Sequence, residues 1–208
     1  KKNVQATNLF DAIYNRWFAD AIFKGKYPSI ALNVFEPLMP QDYQSDLKII
    51  SKPIDWLGIN YYTRSLIKSK VMEDGINYEC HRGSLKITDM GWEFYPKGLS
   101  YFINRIHHEY DQTIPIYITE NGMANNDRIN SKGDIEDLDR IEYFQLHLQE
   151  ILECLKKGIP LKGYFAWSLL DNYEWSFGYD KRFGLVYVDY ENLSRKTKHS
   201  YREFKKYL

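Results

Sequence analysis

The chain has 208 residues, and its 28 Lys and Arg balance 28 Asp and Glu, so a formal charge of zero leaves no basic footprint for nucleic acid or an acidic membrane surface. Apolar residues at 44% and charged residues at 27% exclude a disordered polymer, and the longest charge-free apolar run, Gly163 to Leu170, falls far short of the ~20 residues of a membrane helix. Two cysteines, Cys80 and Cys154, cannot build a disulfide framework and lack metal-ligand spacing, so no metal or other cofactor is expected and a cytoplasmic setting is favoured.

In chain order, Val4, Leu9, Ile13, Trp17 and Ala21 recur at near-helical spacing, and Gly25 and Pro28 stop the pattern. Lys1 to Asn8 carry no apolar leader, and a first helix without a start signal raises the expectation of an upstream segment. Ile54 to Tyr62 is strand-like; the long stretch from Arg64 to Asp89 reads as a loop beside a site mouth. Leu99, Phe102, Ile103 and Ile106 line one face of a helix after Pro96, and Ile114 to Glu120 forms a second strand. Leu138, Ile141, Leu148, Ile151, Leu152 and Leu155 line a longer helix closed by Gly158 and Pro160, followed by a third strand, Gly163 to Leu170. Ser194 to Leu208, with Tyr201 and Phe204, reads as a last helix.

Alternating strands and helices imply parallel strands, and near-continuous apolar strands imply a sheet covered on both faces. The strands end in Asn60-Tyr61-Tyr62, in Thr119-Glu120-Asn121 and in Trp167-Ser168 leading to Asp171-Asn172, so ionisable groups gather at the C-terminal edge where α/β folds build their sites. No Gly-rich phosphate loop follows any strand. Three strand–helix units of roughly 50 residues each would extend to roughly 400 for eight, the range of an insertion-rich barrel. The fold class read here is α/β: a single partial domain over residues 1–208, the C-terminal portion of a (β/α)8 barrel, about strands six to eight with the preceding helix.

Thr119-Glu120-Asn121-Gly122 and the stretch from Trp167 to Tyr190, with Leu57-Gly58-Ile59-Asn60-Tyr61-Tyr62-Thr63 and Met90-Gly91-Trp92 in the same order, strongly resemble glycoside hydrolase family 1. The resemblance also takes in Asn15-Arg16-Trp17-Phe18 and Gly25-Lys26-Tyr27-Pro28, and it spans this whole chain but only the second half of the family's length. It implies a retaining β-glycosidase, commonly a β-glucosidase, that uses two carboxyl groups roughly 5–5.5 Å apart.

By resemblance Glu120 is the nucleophile, Tyr62 a phenol held against it, and Asn60 part of the same wall. On spacing alone, Glu120 could equally be a strand-end carboxylate in a surface loop. Glu174 and Trp175 would hold the sugar's hydroxyls, Trp167 would lie beneath its ring, Phe183 would close the apolar side and Trp92 would stand on the aglycone side. The chain's 16% aromatic content fits such a pocket or a large aromatic core. A negative Glu174 would repel a phosphate, which favours an unphosphorylated β-glucoside as substrate, and Lys181-Arg182 reads as a structural ion pair rather than a phosphate site.

The family's acid/base Glu belongs to an Asn-Glu-Pro motif that this chain lacks; Phe35-Glu36-Pro37 imitates it after a helix, without the Asn. The expected partner is therefore an N-terminal half-barrel segment, without which the chain should be inactive. A thioglucosidase and a non-catalytic sugar-binding pseudoenzyme are the competing readings. His107-His108 reads as a solvent-facing helix pair, and Asn192-Leu193-Ser194 as a chance glycosylation sequon.

Overall fold

The computed structural model describes residues 1–72, 75–111 and 113–208. The chain divides into two compact units, Lys1–Asp55 with Ser65–Gly83 and His108–Asp111, and Trp56–Arg64 with Ser84–His107 and Gln112–Leu208.

The first unit opens with α1 (Lys2–Asp11), a π-turn (Ala12–Arg16) and α2 (Trp17–Lys24), ended by Gly25 in the left-handed conformation at φ +61°. The buried side of this stretch carries Ala6, Ala12 and Ala21, while Val4 is exposed. This departs from the expected stripe already within α1, before the π-turn, where the small Ala6 and not Val4 takes the inward place. Helices α3 (Ser29–Phe35) and α4 (Tyr43–Ile50) follow. Glu36 starts a 3-10 turn between them, exposed, and accepts a hydrogen bond from Tyr43 Oη at 3.2 Å.

Strand β1 (Leu57–Asn60) belongs to the second unit. The expected loop after Arg64 is instead an antiparallel hairpin, β2 (Leu66–Met72) with β3 (Gly75–His81), in the first unit. Two residues of the stretch read as a loop, 73 and 74, lie outside the described residues. The overlooked signal is the period-2 alternation of Leu66-Ile67-Lys68-Ser69-Lys70. The hairpin rests on α1, where Asn3 Oδ1 accepts from the amide and hydroxyl of Ser69, both at 3.1 Å.

In the second unit, α5 (Lys97–Glu109, whose last two residues are counted with the first unit) leads to β4 (Ile116–Asn121), and α6 (Leu138–Lys156) to β5 (Leu161–Ala166). The three strands are parallel in the order β1-β4-β5, with Leu57 opposite Ile116 and Ile116 opposite Leu161. One face carries the buried Ile116 and Ile118; Leu99 and Ile103 of α5 are likewise buried, as their spacing requires. The other face is not covered, contrary to expectation: Phe165 is 57% exposed and Trp56, 53% exposed, meets Tyr117 edge-on. Glycines at Gly58 and Gly163 leave room there for Thr119 and Tyr117.

Helix α6 also turns a different side inward than its leucines indicate. Arg140, Tyr143, Phe144, His147, Ile151 and Cys154 are buried, whereas Leu138, Leu152 and Leu155 are exposed. A polar residue can hold the inward side because each finds a partner, foremost Arg140 in a buried charge cluster. Arg140 pairs with Asp127 at 2.7 Å and with Asp137; Lys198 bridges Asp127 at 2.5 Å and Asp171 at 2.7 Å; Arg182 reaches Asp171 at 2.6 Å. Three carboxylates and three cations cancel, which offsets much of the cost of taking them out of water. The hairpin β6 (Val186–Val188) with β7 (Arg195–Thr197), then α7 (His199–Phe204), close the unit; Tyr201 and Phe204 pack on a core of Phe94, Met123, Tyr143, Phe144 and Leu185.

Candidate active site

The site gathers where β1, β4 and β5 end. Register shifts between Ile59 and Asn60 and between Ile118 and Asn121 bend the strands there, which re-aims their last side chains. Glu120 lies opposite Asn60, and the Tyr62 phenol donates a hydrogen bond to Glu120 Oε2 at 2.7 Å. Asn60 is exposed, and its Oδ1 accepts from Thr119 Oγ1 at 2.6 Å.

Burial, then the hydrogen bond and charge of Glu120, push the Tyr62 phenol well above its usual range, so it stays a donor. Glu174 is half-buried, and desolvation followed by the Glu120 charge raises its pKa. The two carboxyls therefore share one field.

Two aromatic rings border Tyr62. Trp92 lies 5.4 Å from the Tyr62 ring and 6.3 Å from Phe183, and Phe183 meets Tyr62 edge-on at 6.2 Å. Phe183 is only 2% exposed. Trp167 follows β5, its amide donating to the Asn121 carbonyl at 2.9 Å, and the Trp167–Ser168 peptide is cis. Trp175 starts a 3-10 turn at φ +44° and is 81% exposed, so this structure does not bury its indole against the others.

Several supporting residues escaped the sequence reading. Asn121, wholly buried, donates to the Tyr61 carbonyl at 2.7 Å and to Tyr143 Oη at 3.1 Å, and accepts from Tyr164 Oη at 2.6 Å. Tyr143 in turn donates to the Tyr62 carbonyl at 2.8 Å. Each hydrogen has one acceptor, which fixes the direction of the whole chain of bonds. Its only trace in the sequence is an amide beside a strand-end acid. Lys181 and Arg182 are ion-paired as expected, Lys181 with Asp89 at 3.0 Å and Arg182 with Asp171.

The family model for glycosyl hydrolase family 1 matches residues 1–208. The chain belongs to glycoside hydrolase family 1. It is 39% identical over 183 residues to a 1,4-beta-D-glucan glucohydrolase of Thermotoga neapolitana, covering 88% of this chain and 41% of that protein. It is 36% identical over 233 residues to a 6-phospho-beta-galactosidase of Clostridium acetobutylicum, covering 99% of this chain and 49% of that one. The crystal structure of the family 1 beta-glucosidase from Exiguobacterium antarcticum B7 superimposes with a TM-score of 0.92 at 40% identity, over 99% of this chain and 46% of that one. The chain thus spans about half the length of the family 1 relatives it matches. Its fold is the C-terminal portion of the family's (β/α)8 barrel, with parallel strands.

Proposed function

We propose that the protein to which this chain belongs is a retaining β-glycosidase acting on unphosphorylated β-D-glucosides, with Glu120 as its nucleophile. The observation that carries this is the 2.7 Å hydrogen bond from Tyr62 to Glu120 at the end of a parallel strand, with a second carboxyl, Glu174, in the same field. A donor held on a carboxylate keeps one oxygen occupied and leaves the other to attack. Glu120 bonds to the anomeric carbon as the glycosidic C–O bond breaks, and an acid protonates the departing oxygen. Water then attacks the glycosyl–enzyme ester, the same acid, now a base, takes its proton, and Glu120 is released.

That acid/base is proposed to come from an N-terminal half-barrel segment. Glu36 is no substitute, since it lies after α3 and is engaged by Tyr43. The uncovered sheet face around Trp56 and Phe165 supports such a partner, because a closed barrel fills its interior with side chains from all its strands. Glu174 is assigned to two sugar hydroxyls, Trp167 to the ring face, Trp175 to a hydroxyl through its N–H, Asn60 to the wall beside the nucleophile and Trp92 to the aglycone. A 6-phosphorylated sugar is disfavoured: Lys181 is spent on Asp89, and Glu174 would face the phosphate as a like charge.

The test is mechanism-based labelling of the assembled protein with a 2-deoxy-2-fluoro-β-glucoside. A mass increase on the peptide carrying Glu120 is expected; an unlabelled Glu120 in protein that binds the reagent would leave a sugar binder.

A further inference from the structure

The segment that carries Trp92 is fastened to the one that carries Tyr62 by groups on neither ring. Arg64 Nε lies 2.8 Å from Glu93 Oε2, the other Glu93 oxygen accepts from the Leu85 amide at 3.0 Å, and Thr63 Oγ1 donates to the Glu93 carbonyl at 2.9 Å. The two residues after Tyr62 are thereby tied to the one residue after Trp92. The Glu93 side chain is 8% exposed, and the Arg64 guanidinium lies 4.2 Å from the centre of the Tyr95 ring. A charge-assisted bond so placed is stronger and better oriented than a surface pair.

The two ends of this tie are unequal. Tyr62 has a second anchor, the hydrogen bond from Tyr143 to its carbonyl. Trp92 has a turn closed on itself: the Thr88 amide donates to the Trp92 carbonyl at 2.8 Å, and the Trp92 amide to Thr88 Oγ1 at 3.3 Å. The other outward polar ties of residues 88–92 leave from Asp89, to Lys181 and to the Ala124 carbonyl, and the indole itself has only its ring contacts with Tyr62 and Phe183 among those described. Releasing Glu93 therefore loosens Trp92 and leaves Tyr62 in place.

We infer that Arg64 and Glu93 are a positioning pair that sets the place of the Trp92 indole and with it the enzyme's preference for aglycones that bear a ring. The inference rests on the β-glycosidase reading and adds to it a determinant outside the residues that touch substrate.

The experiment uses the protein carrying this chain together with its N-terminal half, and compares Arg64→Met with Arg64→Lys on an aryl β-glucoside and on β-glucosyl fluoride. Both substrates present the same sugar, and only the first has an aglycone ring. In Arg64→Met, KM for the aryl glucoside should rise about tenfold and KM for the fluoride by about twofold at most. Arg64→Lys, which restores the charge, should fall between Arg64→Met and the parent. Glu93→Gln keeps the Leu85 contact and repeats the comparison without disturbing the packing on Tyr95. The double variant should be no worse than the worse single one, since both remove the same link. Equal rises on the two substrates, or none on either, overturn the inference. Fluoroglucoside labelling separates its failure from that of the reading beneath it: no label on Glu120 in the parent protein sinks both, whereas a labelled parent with no aglycone effect in the variants sinks only the pair.

Discussion

Tyr62 and Glu120 meet through one hydrogen bond, and its removal is the sharpest test of what the pair does. Replacing Tyr62 by Phe keeps the ring contacts with Trp92 and Phe183 and takes away only the donor. In the assembled enzyme kcat should fall roughly 10²-fold, the scale of losing one preorganised donor at a site of changing charge. KM should move little, because the phenol bonds to the Glu120 carboxylate, the proposed nucleophile. Steady-state kinetics on an aryl glucoside measure both; an unchanged kcat would reduce Tyr62 to a packing residue. Glu120, the proposed nucleophile, was legible in sequence as an acid because it stands in a motif at a strand end. Asn121, its neighbour, was not. A buried amide that bridges Tyr61, Tyr143 and Tyr164 joins three distant segments, and no local spacing encodes that meeting.

At the scale of elements, the decisive contact is between the end of β4 and the residue after β5. A Cβ on Gly122 would lie 1.8 Å from the Trp167 carbonyl oxygen, which is backbone and cannot swing aside. Gly122→Ala should therefore cost about 3 kcal/mol or more by overpacking, read as a lower urea midpoint, and should separate Glu120 from Trp167. Gly91→Ala is the control: no atom lies within 4 Å of its added Cβ, although its φ of +75° carries some strain of its own. All three parallel strands could be read from sequence as short apolar runs, although the third was expected to extend past Ala166, and α5 could be read because its apolar residues keep a helical period. Helix α6 misled for a physical reason. Its leucines lie on a side exposed in this chain, and its inward side is held by Arg140, Tyr143 and His147, which a hydrophobic pattern scores as surface. The hairpin after Arg64 is faint in sequence because its alternation runs over only a few residues inside a long, polar connection.

Across the whole molecule, the buried polar groups tie stability to pH. His147 is fully buried, its Nδ1 facing the Tyr143 carbonyl at 2.7 Å and its Nε2 without a hydrogen-bond partner among the described residues. Burial pulls its pKa down to about 4 from an ordinary 6.5. Above the ordinary value both folded and unfolded chains hold it neutral. As pH falls through the window from 6.5 to 4, only the unfolded chain takes up the proton, so up to about 3 kcal/mol is lost. Urea unfolding at pH 7 and pH 4 should show that loss, and His147→Gln should flatten it; equal slopes would acquit the imidazole. Lys198 has a different reach. It comes later in sequence than Asp127, Asp137, Arg140, Asp171 and Arg182, yet among the described residues it alone spans Asp127 and Asp171. On a growing chain Asp127 and Asp171 therefore have Arg140 and Arg182 as their cationic partners until that lysine arrives. The tie between the segments that carry Asp127 and Asp171 thus closes only once residue 198 has been made.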